Sequence, residues 1–148
     1  INILLKTKIP FVIHHIQGNP KTMQDNPKYK NVVLDIYDFF EKKIKLNKGD
    51  KKFILDPGIG FGKTLKHNLT LITKISLFHS LGLPILVGTS RKRFIGQISG
   101  KFDSKERLGG TLASVIYLLM QGVQIFRVHN VSEVNQGMIV FKEFLSKK

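Results

Sequence analysis

The sequence runs to 148 residues, enough for one domain with a real core and too few for two. It has no cysteine, which excludes disulfides and thiolate metal sites and suits a reducing cytoplasm. The formal charge of +14 admits nucleic acid, an anionic membrane surface or anionic substrates as partners. That charge rests on scattered lysines such as Lys42-Lys43, Lys51-Lys52 and Lys147-Lys148, with arginine only at Arg91, Arg93, Arg107 and Arg127. No arginine-rich recognition helix or RNA-stacking motif accompanies it, so no specific nucleic acid partner is expected. The apolar stretches are too short to span a bilayer and no signal-peptide pattern opens the chain, so the expectation is a cytoplasmic location without membrane contact.

In chain order, Ile1 to Lys8 read as the end of a preceding helix. Phe11-Val12-Ile13 after Pro10 reads as a strand, turning at Gly18-Asn19-Pro20. From about Tyr29 to Lys45, Val32, Val33, Ile36, Phe39, Phe40 and Ile44 recur at helical spacing. Phe53 to Asp56 form a second strand, and a helix follows from about Asn68 to Leu81, with Gly82 as its C-cap. Ile85-Leu86-Val87 is a third strand. Phe94-Ile95, a polar loop through Gly100 and a helix from about Ser104 to Gln121 come next. A fourth strand spans Gln124 to Val128, and the last helix starts near Asn130, where Asn130 with Glu133 gives a capping-box signature. Four βα units in series predict parallel strands with helices outside.

In such folds ligands bind at the carboxyl ends of the strands. The suggestive polar residues fall there: His15 and Gln17, then Asp56, then Ser90 with Arg91 and Lys92, then Arg127 with His129. Asp56 opens the glycine-rich run Asp56-Pro57-Gly58-Ile59-Gly60-Phe61-Gly62-Lys63-Thr64. A phosphate-cradling P-loop needs four residues between its glycine and Gly-Lys-Ser/Thr. Here only three separate Gly58 from Gly62, and Pro57 holds the required position. A simple strand-to-helix turn using glycine for positive φ is the competing reading. Arg127 and His129 alternate around Val128 and so share a side of their strand end. His14 and His15 point to opposite faces, which argues against a zinc site shared with His129.

The glycine-rich block, Gly88-Thr89-Ser90-Arg91-Lys92, Arg127-Val128-His129-Asn130 and His15-Ile16-Gln17-Gly18-Asn19-Pro20-Lys21-Thr22-Met23-Gln24 together resemble the dihydropteroate synthase family in order and spacing. The resemblance covers nearly the whole chain and implies a (β/α)8 TIM barrel. Residues 1–148 would be its last four units, a partial pterin-binding domain without the N-terminal half. It also implies the reaction: p-aminobenzoate condenses with 6-hydroxymethyl-7,8-dihydropterin pyrophosphate, releasing pyrophosphate. Under this resemblance Asp56 accepts the pterin's paired amino and ring N–H donors, and Lys92 donates to the pterin carbonyl or ring nitrogen. Arg127 and His129 hold the leaving diphosphate. Ser90 and Phe61 flank p-aminobenzoate, Ile16 touches the pterin face, and Gly60 and Gly88 admit close backbone approach. Asp56 as a loop cap and Phe61 as plain core are the structural alternatives, while Arg91 reads as a structural ion-pair partner. Mg²⁺ is implied, with its protein ligand in the half not represented.

Two blocks depart from the family pattern. His14-His15-Ile16 stands for Met-His-Met, leaving His14 with no evident partner, and Asn130 stands for an Asp that caps a helix equally well. The exposed edges of a half barrel predict self-association or pairing with a separate N-terminal half. The rival functions are a non-catalytic remnant or subunit of a split enzyme, and a basic nucleic-acid-binding module.

Overall fold

The computed structural model describes residues 9–47 and 52–147. The expected helix end at Ile1 to Lys8 lies outside the described residues. Strand β1 (Phe11–His14) is followed by helix α1 (Val32–Leu46), β2 (Phe53–Asp56), and α2 (Leu65–Thr73), which continues into a 3₁₀ segment, Ile75–Leu81. Then come β3 (Leu86–Val87), α3 (Arg93–Ser99), a 3₁₀ turn (Ser104–Arg107), α4 (Leu108–Met120), β4 (Ile125–Phe126) and α5 (Val131–Ser146).

Among the described residues all strand pairings are parallel. β1 lies beside β2 with Phe11 opposite Phe53 and His14 opposite Asp56, and β3 lies beside β4 with Leu86 opposite Ile125. A parallel bridge between Leu55 and Ile85 joins the two pairs, so the strands run in sequence order. The Leu55 N–H donates to the Pro84 carbonyl at 2.8 Å across that junction. Parallel neighbours need a crossover, and a helix supplies each one. The result is the α/β series of four βα units that the sequence predicts.

The core lies between the sheet and the helices. Phe53, Leu55, Ile85 and Val87 point that way and are at most 1 % exposed, meeting Ile36 and Phe40 of α1, Leu71 of α2, Phe78 and Leu118. α1 forms because Val32, Val33, Ile36 and Phe40 make one apolar stripe, and because Asn31 caps it, accepting from the Val33 and Leu34 N–H groups. Gly82 takes φ +70° and ends the 3₁₀ segment as expected, its N–H donating to the His79 carbonyl.

Several details differ from expectation. α2 starts three residues earlier than the hydrophobic period suggests, because Thr64 and His67 form a capping box. The stretch from Arg93 to Ser99 is a helix rather than the start of a loop, with Phe94, Ile95 and Gly96 buried. Its backbone packs so tightly that a Cβ at Gly96 would lie 2.5 Å from the Lys101 carbonyl oxygen. Gln124 to Val128 contains only a two-residue strand. Finally, Asn130 sits at the N-cap of α5 but makes no side-chain cap. Its Oδ1 accepts from the Arg91 guanidinium at 2.8 Å and its Nδ2 donates to Glu133 at 3.3 Å.

Candidate active site

The strand ends converge on a glycine-rich turn. Asp56 is 3 % exposed, and its Oδ1 accepts the Gly58 N–H at 2.8 Å. Gly58 has φ +70°, and a Cβ there would lie 1.9 Å from the His15 carbonyl oxygen, so no other residue fits. Side chains lock the rest of the turn. Asn68 Oδ1 accepts from the Gly60 N–H at 2.7 Å, Gln24 Nε2 donates to the Gly60 carbonyl at 2.7 Å, and the Tyr29 hydroxyl donates to the Gly62 carbonyl at 2.8 Å. The loop-cap reading of Asp56 therefore holds alongside any ligand role.

Beneath the turn lies a buried basic pair. Lys63, 4 % exposed, donates to the Phe61 carbonyl at 2.9 Å and contacts His15 Nδ1 at 3.2 Å. Burial lowers the Lys63 pKa to about 7, against an opposing pull from Asp56. Burial, then the neighbouring Lys63 and His14, lowers His15 to about 4. His15 thus serves the scaffold, with its ring edge-on to Phe39 at 5.0 Å.

His14 does have a partner. The parallel register sets it opposite Asp56, and His14 Nδ1 lies 2.9 Å from Asp56 Oδ2. Its ring also meets Phe61 edge-on at 4.7 Å. A cavity of about 380 Å³ opens here, lined by Val12, His14, Asp56, Phe61, Leu86 and Arg127. An adjoining cavity of about 410 Å³ shares Phe61 and Arg127 and adds Gly88, Ser90, Lys92 and His129. Phe61 is half-buried and stands outside the main apolar core, as a wall between the two spaces.

The second cavity is cationic. Lys92 Nζ sits 3.9 Å from the Phe61 ring centroid, a cation–π contact. Burial, and then repulsion from Arg127, lowers the Lys92 pKa, with Asp56 pulling the other way. Gly88 gives the Arg127 guanidinium room, since a Cβ would lie 3.3 Å from it. Ser90 is 5 % exposed; its Oγ accepts the His129 backbone N–H at 3.2 Å and lies 2.9 Å from His129 Nδ1. A Ser90 hydroxyl that donates to Nδ1 leaves Nε2–H as the donor of the ring.

The structure thus brings Asp56, Phe61, Gly88, Ser90, Lys92, Arg127 and His129 around two joined cavities. Gly60 faces a third space of about 400 Å³ with Lys63, Asn68 and Lys92, and Ile16 is half-buried and lines none of the three. Arg91 is a brace: it adopts φ +59°, its N–H donates to Thr111 and its carbonyl accepts from Arg107. Sequence reasoning missed Lys63, Asn68, Gln24 and Tyr29. Lys63 and Gln24 carried a signal, the first inside the failed P-loop pattern and the second at the end of the His15–Gln24 block.

Comparisons with known proteins bear on the family and the fold. The model of a family described as pterin binding enzyme matches residues 1–129. Dihydropteroate synthase of Escherichia coli K12 is 44 % identical over 147 residues, covering 97 % of the chain and 52 % of that protein. The Yersinia pestis dihydropteroate synthase, solved with a sulfonamide drug complex, superposes with a TM-score of 0.87 at 39 % identity, over 94 % of this chain and 52 % of that one. The Thermus thermophilus enzyme in complex with 4-aminobenzoate gives a TM-score of 0.84 at 37 % identity, over 89 % and 55 % of the two chains. The same enzyme has also been solved with 6HMPPP. These neighbours are TIM barrels, and the chain spans about half the length of the relatives it matches.

Proposed function

The chain belongs to the pterin-binding enzyme family, and from that premise we propose that it supplies the C-terminal half of a dihydropteroate synthase site. The observation that carries this reading is the polarity of the joined cavities. A buried carboxylate, Asp56, lines one, Lys92 and His129 line the other, and Phe61 and Arg127 line both. A dihydropterin diphosphate has the complementary layout: adjacent N–H donors at one end and an anion at the other.

In this reading the Asp56 carboxylate accepts the pterin's two N–H groups and stabilises the positive charge that spreads into the ring as pyrophosphate departs. Arg127 and the His129 Nε2–H donate to the leaving diphosphate, and Lys92 donates to the pterin edge. The bond from the pterin methylene carbon to oxygen breaks, the aryl amine of p-aminobenzoate forms a bond to that carbon, and the amine loses a proton. Positioning and fixed charge carry such a reaction without a covalent enzyme intermediate. Ser90, Gly88 and Phe61 frame the p-aminobenzoate side, while Ile16, which lines neither cavity, is given no ligand contact.

Among the described residues no group of three or more His, Cys, Asp or Glu side chains is placed to hold a metal ion. Lys92 and Arg127, which face the diphosphate region, are cations that suit the anion and not Mg²⁺, so no step here passes through the metal. The complete catalytic unit includes four further βα units, from another segment, a separate chain or a second copy. No described helix is long and apolar enough to cross a membrane, and the cysteine-free composition fits work in the cytoplasm.

The test is pyrophosphate release by the chain with 6-hydroxymethyl-7,8-dihydropterin pyrophosphate, p-aminobenzoate and Mg²⁺, beside an Asp56→Ala control. Release abolished by that substitution supports the proposal. Failure of both release and pterin binding overturns it. Pterin binding without release assigns the chain the pterin half of the site and a non-catalytic role on its own.

A further inference from the structure

We infer that His14 is a positioning residue that fixes the Asp56 carboxylate and limits which ligands it accepts. The inference rests on the proposed reading of Asp56 as the acceptor for a ligand with two adjacent donors. Register makes the pair: His14 and Asp56 are direct partners across β1 and β2, and both side chains enter the same cavity.

An ionised carboxylate offers about four lone-pair sites, two on each oxygen. In this chain one site on Oδ1 is taken by the Gly58 N–H at 2.8 Å, and one on Oδ2 by His14 Nδ1 at 2.9 Å. One acceptor site on each oxygen remains for a ligand. That is the acceptor pattern for two parallel N–H groups, as in a 2-amino-pyrimidinone ring. Anchored through both oxygens, the carboxylate cannot turn about its own axis to suit a single donor arriving from another direction.

The His14 ring is itself held by its edge-on contact with Phe61 at 4.7 Å, and the Lys92 ammonium lies against the same phenyl ring at 3.9 Å. One aromatic wall therefore contacts both the carboxylate's anchor and a cation of the adjoining cavity. Donation to Asp56 also dictates the tautomer, with the neutral His14 ring carrying its proton on Nδ1.

Two substitutions separate the hydrogen bond from the packing. His14→Asn keeps a donor near the Nδ1 position and discards the ring. His14→Phe keeps a ring against Phe61 and discards the donor. Affinity for 6-hydroxymethyl-7,8-dihydropterin, measured by calorimetry on the full chain, should fall about tenfold in His14→Phe, the effect of losing one hydrogen bond to a charged group. In His14→Asn it should stay within about threefold of the parent chain. His14→Phe binding as tightly as the parent, or His14→Asn as weakly as His14→Phe, overturns the inference. In the ligand-free chain, ¹⁵N NMR at a pH high enough to neutralise the ring should show His14 protonated on Nδ1. Asp56→Asn should move that proton to Nε2. An Nε2-protonated ring in the parent chain overturns the inference whatever the binding results. If the parent chain binds no pterin, the reading of Asp56 fails first and the selectivity falls with it, an outcome distinct from a parent that binds while His14→Phe binds equally well.

Discussion

Toward the helices, Phe53, Leu55, Ile85 and Val87 are apolar and at most 1 % exposed, whereas on the opposite face of the sheet Val12 is 43 % exposed and its companions include His14, Asp56 and Arg127. Alternation along the strands puts core residues and site residues one position apart, as with Leu55 and Asp56. The two faces respond to different forces. Burial of large apolar side chains holds the first, and buried hydrogen bonds and charge organise the second. A substitution should therefore damage stability or ligand binding according to which way its side chain points.

The largest effect expected is on the helix side. Phe53→Ala and Leu55→Ala should each cost roughly 2–5 kcal/mol in urea unfolding, through lost transfer energy and a residual cavity. Ligand affinity should change only as far as the folded population does. On the other face, Asp56→Asn keeps an acceptor for the Gly58 N–H but removes the carboxylate. Pterin affinity should fall about a hundredfold, the scale of a lost charge-assisted pair of hydrogen bonds, with the unfolding midpoint little moved. A large loss of stability in Asp56→Asn would erase the distinction between the faces.

The buried basic pair sharpens the comparison through pH. His15 has its pKa lowered from 6.5 to about 4, so the unfolded chain takes up a proton that the folded chain refuses across that window. Lys63, lowered from 10.5 to about 7, gives the same sign at higher pH. Stability should rise with pH from about 4 to 6.5 through His15, and rise again above about 7 through Lys63. Urea midpoints across a pH series test this. Lys63→Met should flatten the alkaline rise, and an unchanged slope would contradict the assignment. The smallest effect belongs to Ser90→Ala, which frees the His129 ring and its backbone N–H. Diphosphate affinity should drop by a few fold, the equivalent of about 1 kcal/mol.

These contrasts also explain what the sequence made legible. The helix-facing core was readable because periodicity reports burial directly: Val32, Val33, Ile36 and Phe40 recur at helical spacing and are buried. The strand-end placement of Asp56, Lys92, Arg127 and His129 followed from the order of βα units, and the motif blocks marked those residues. Pairings across elements were not readable. Nothing local to His14 points to Asp56, 42 positions away, because the contact depends on strand register. Asn130 looked like a helix cap, yet a guanidinium from the β3–α3 turn competes for its oxygen. The Arg93–Ser99 helix escaped notice because it is short and follows Gly88-Thr89-Ser90, a run that reads as loop.

The central claim is that the inward face holds a pterin diphosphate, with Asp56 at the ring end and cations at the diphosphate end. Calorimetry of 6-hydroxymethyl-7,8-dihydropterin pyrophosphate and of 6-hydroxymethyl-7,8-dihydropterin alone, against the chain, Asp56→Asn and Arg127→Ala, tests it most directly. The account predicts that Asp56→Asn weakens both ligands and that Arg127→Ala weakens only the diphosphate. Equal losses for both ligands in Arg127→Ala, or unchanged binding in Asp56→Asn, would contradict it.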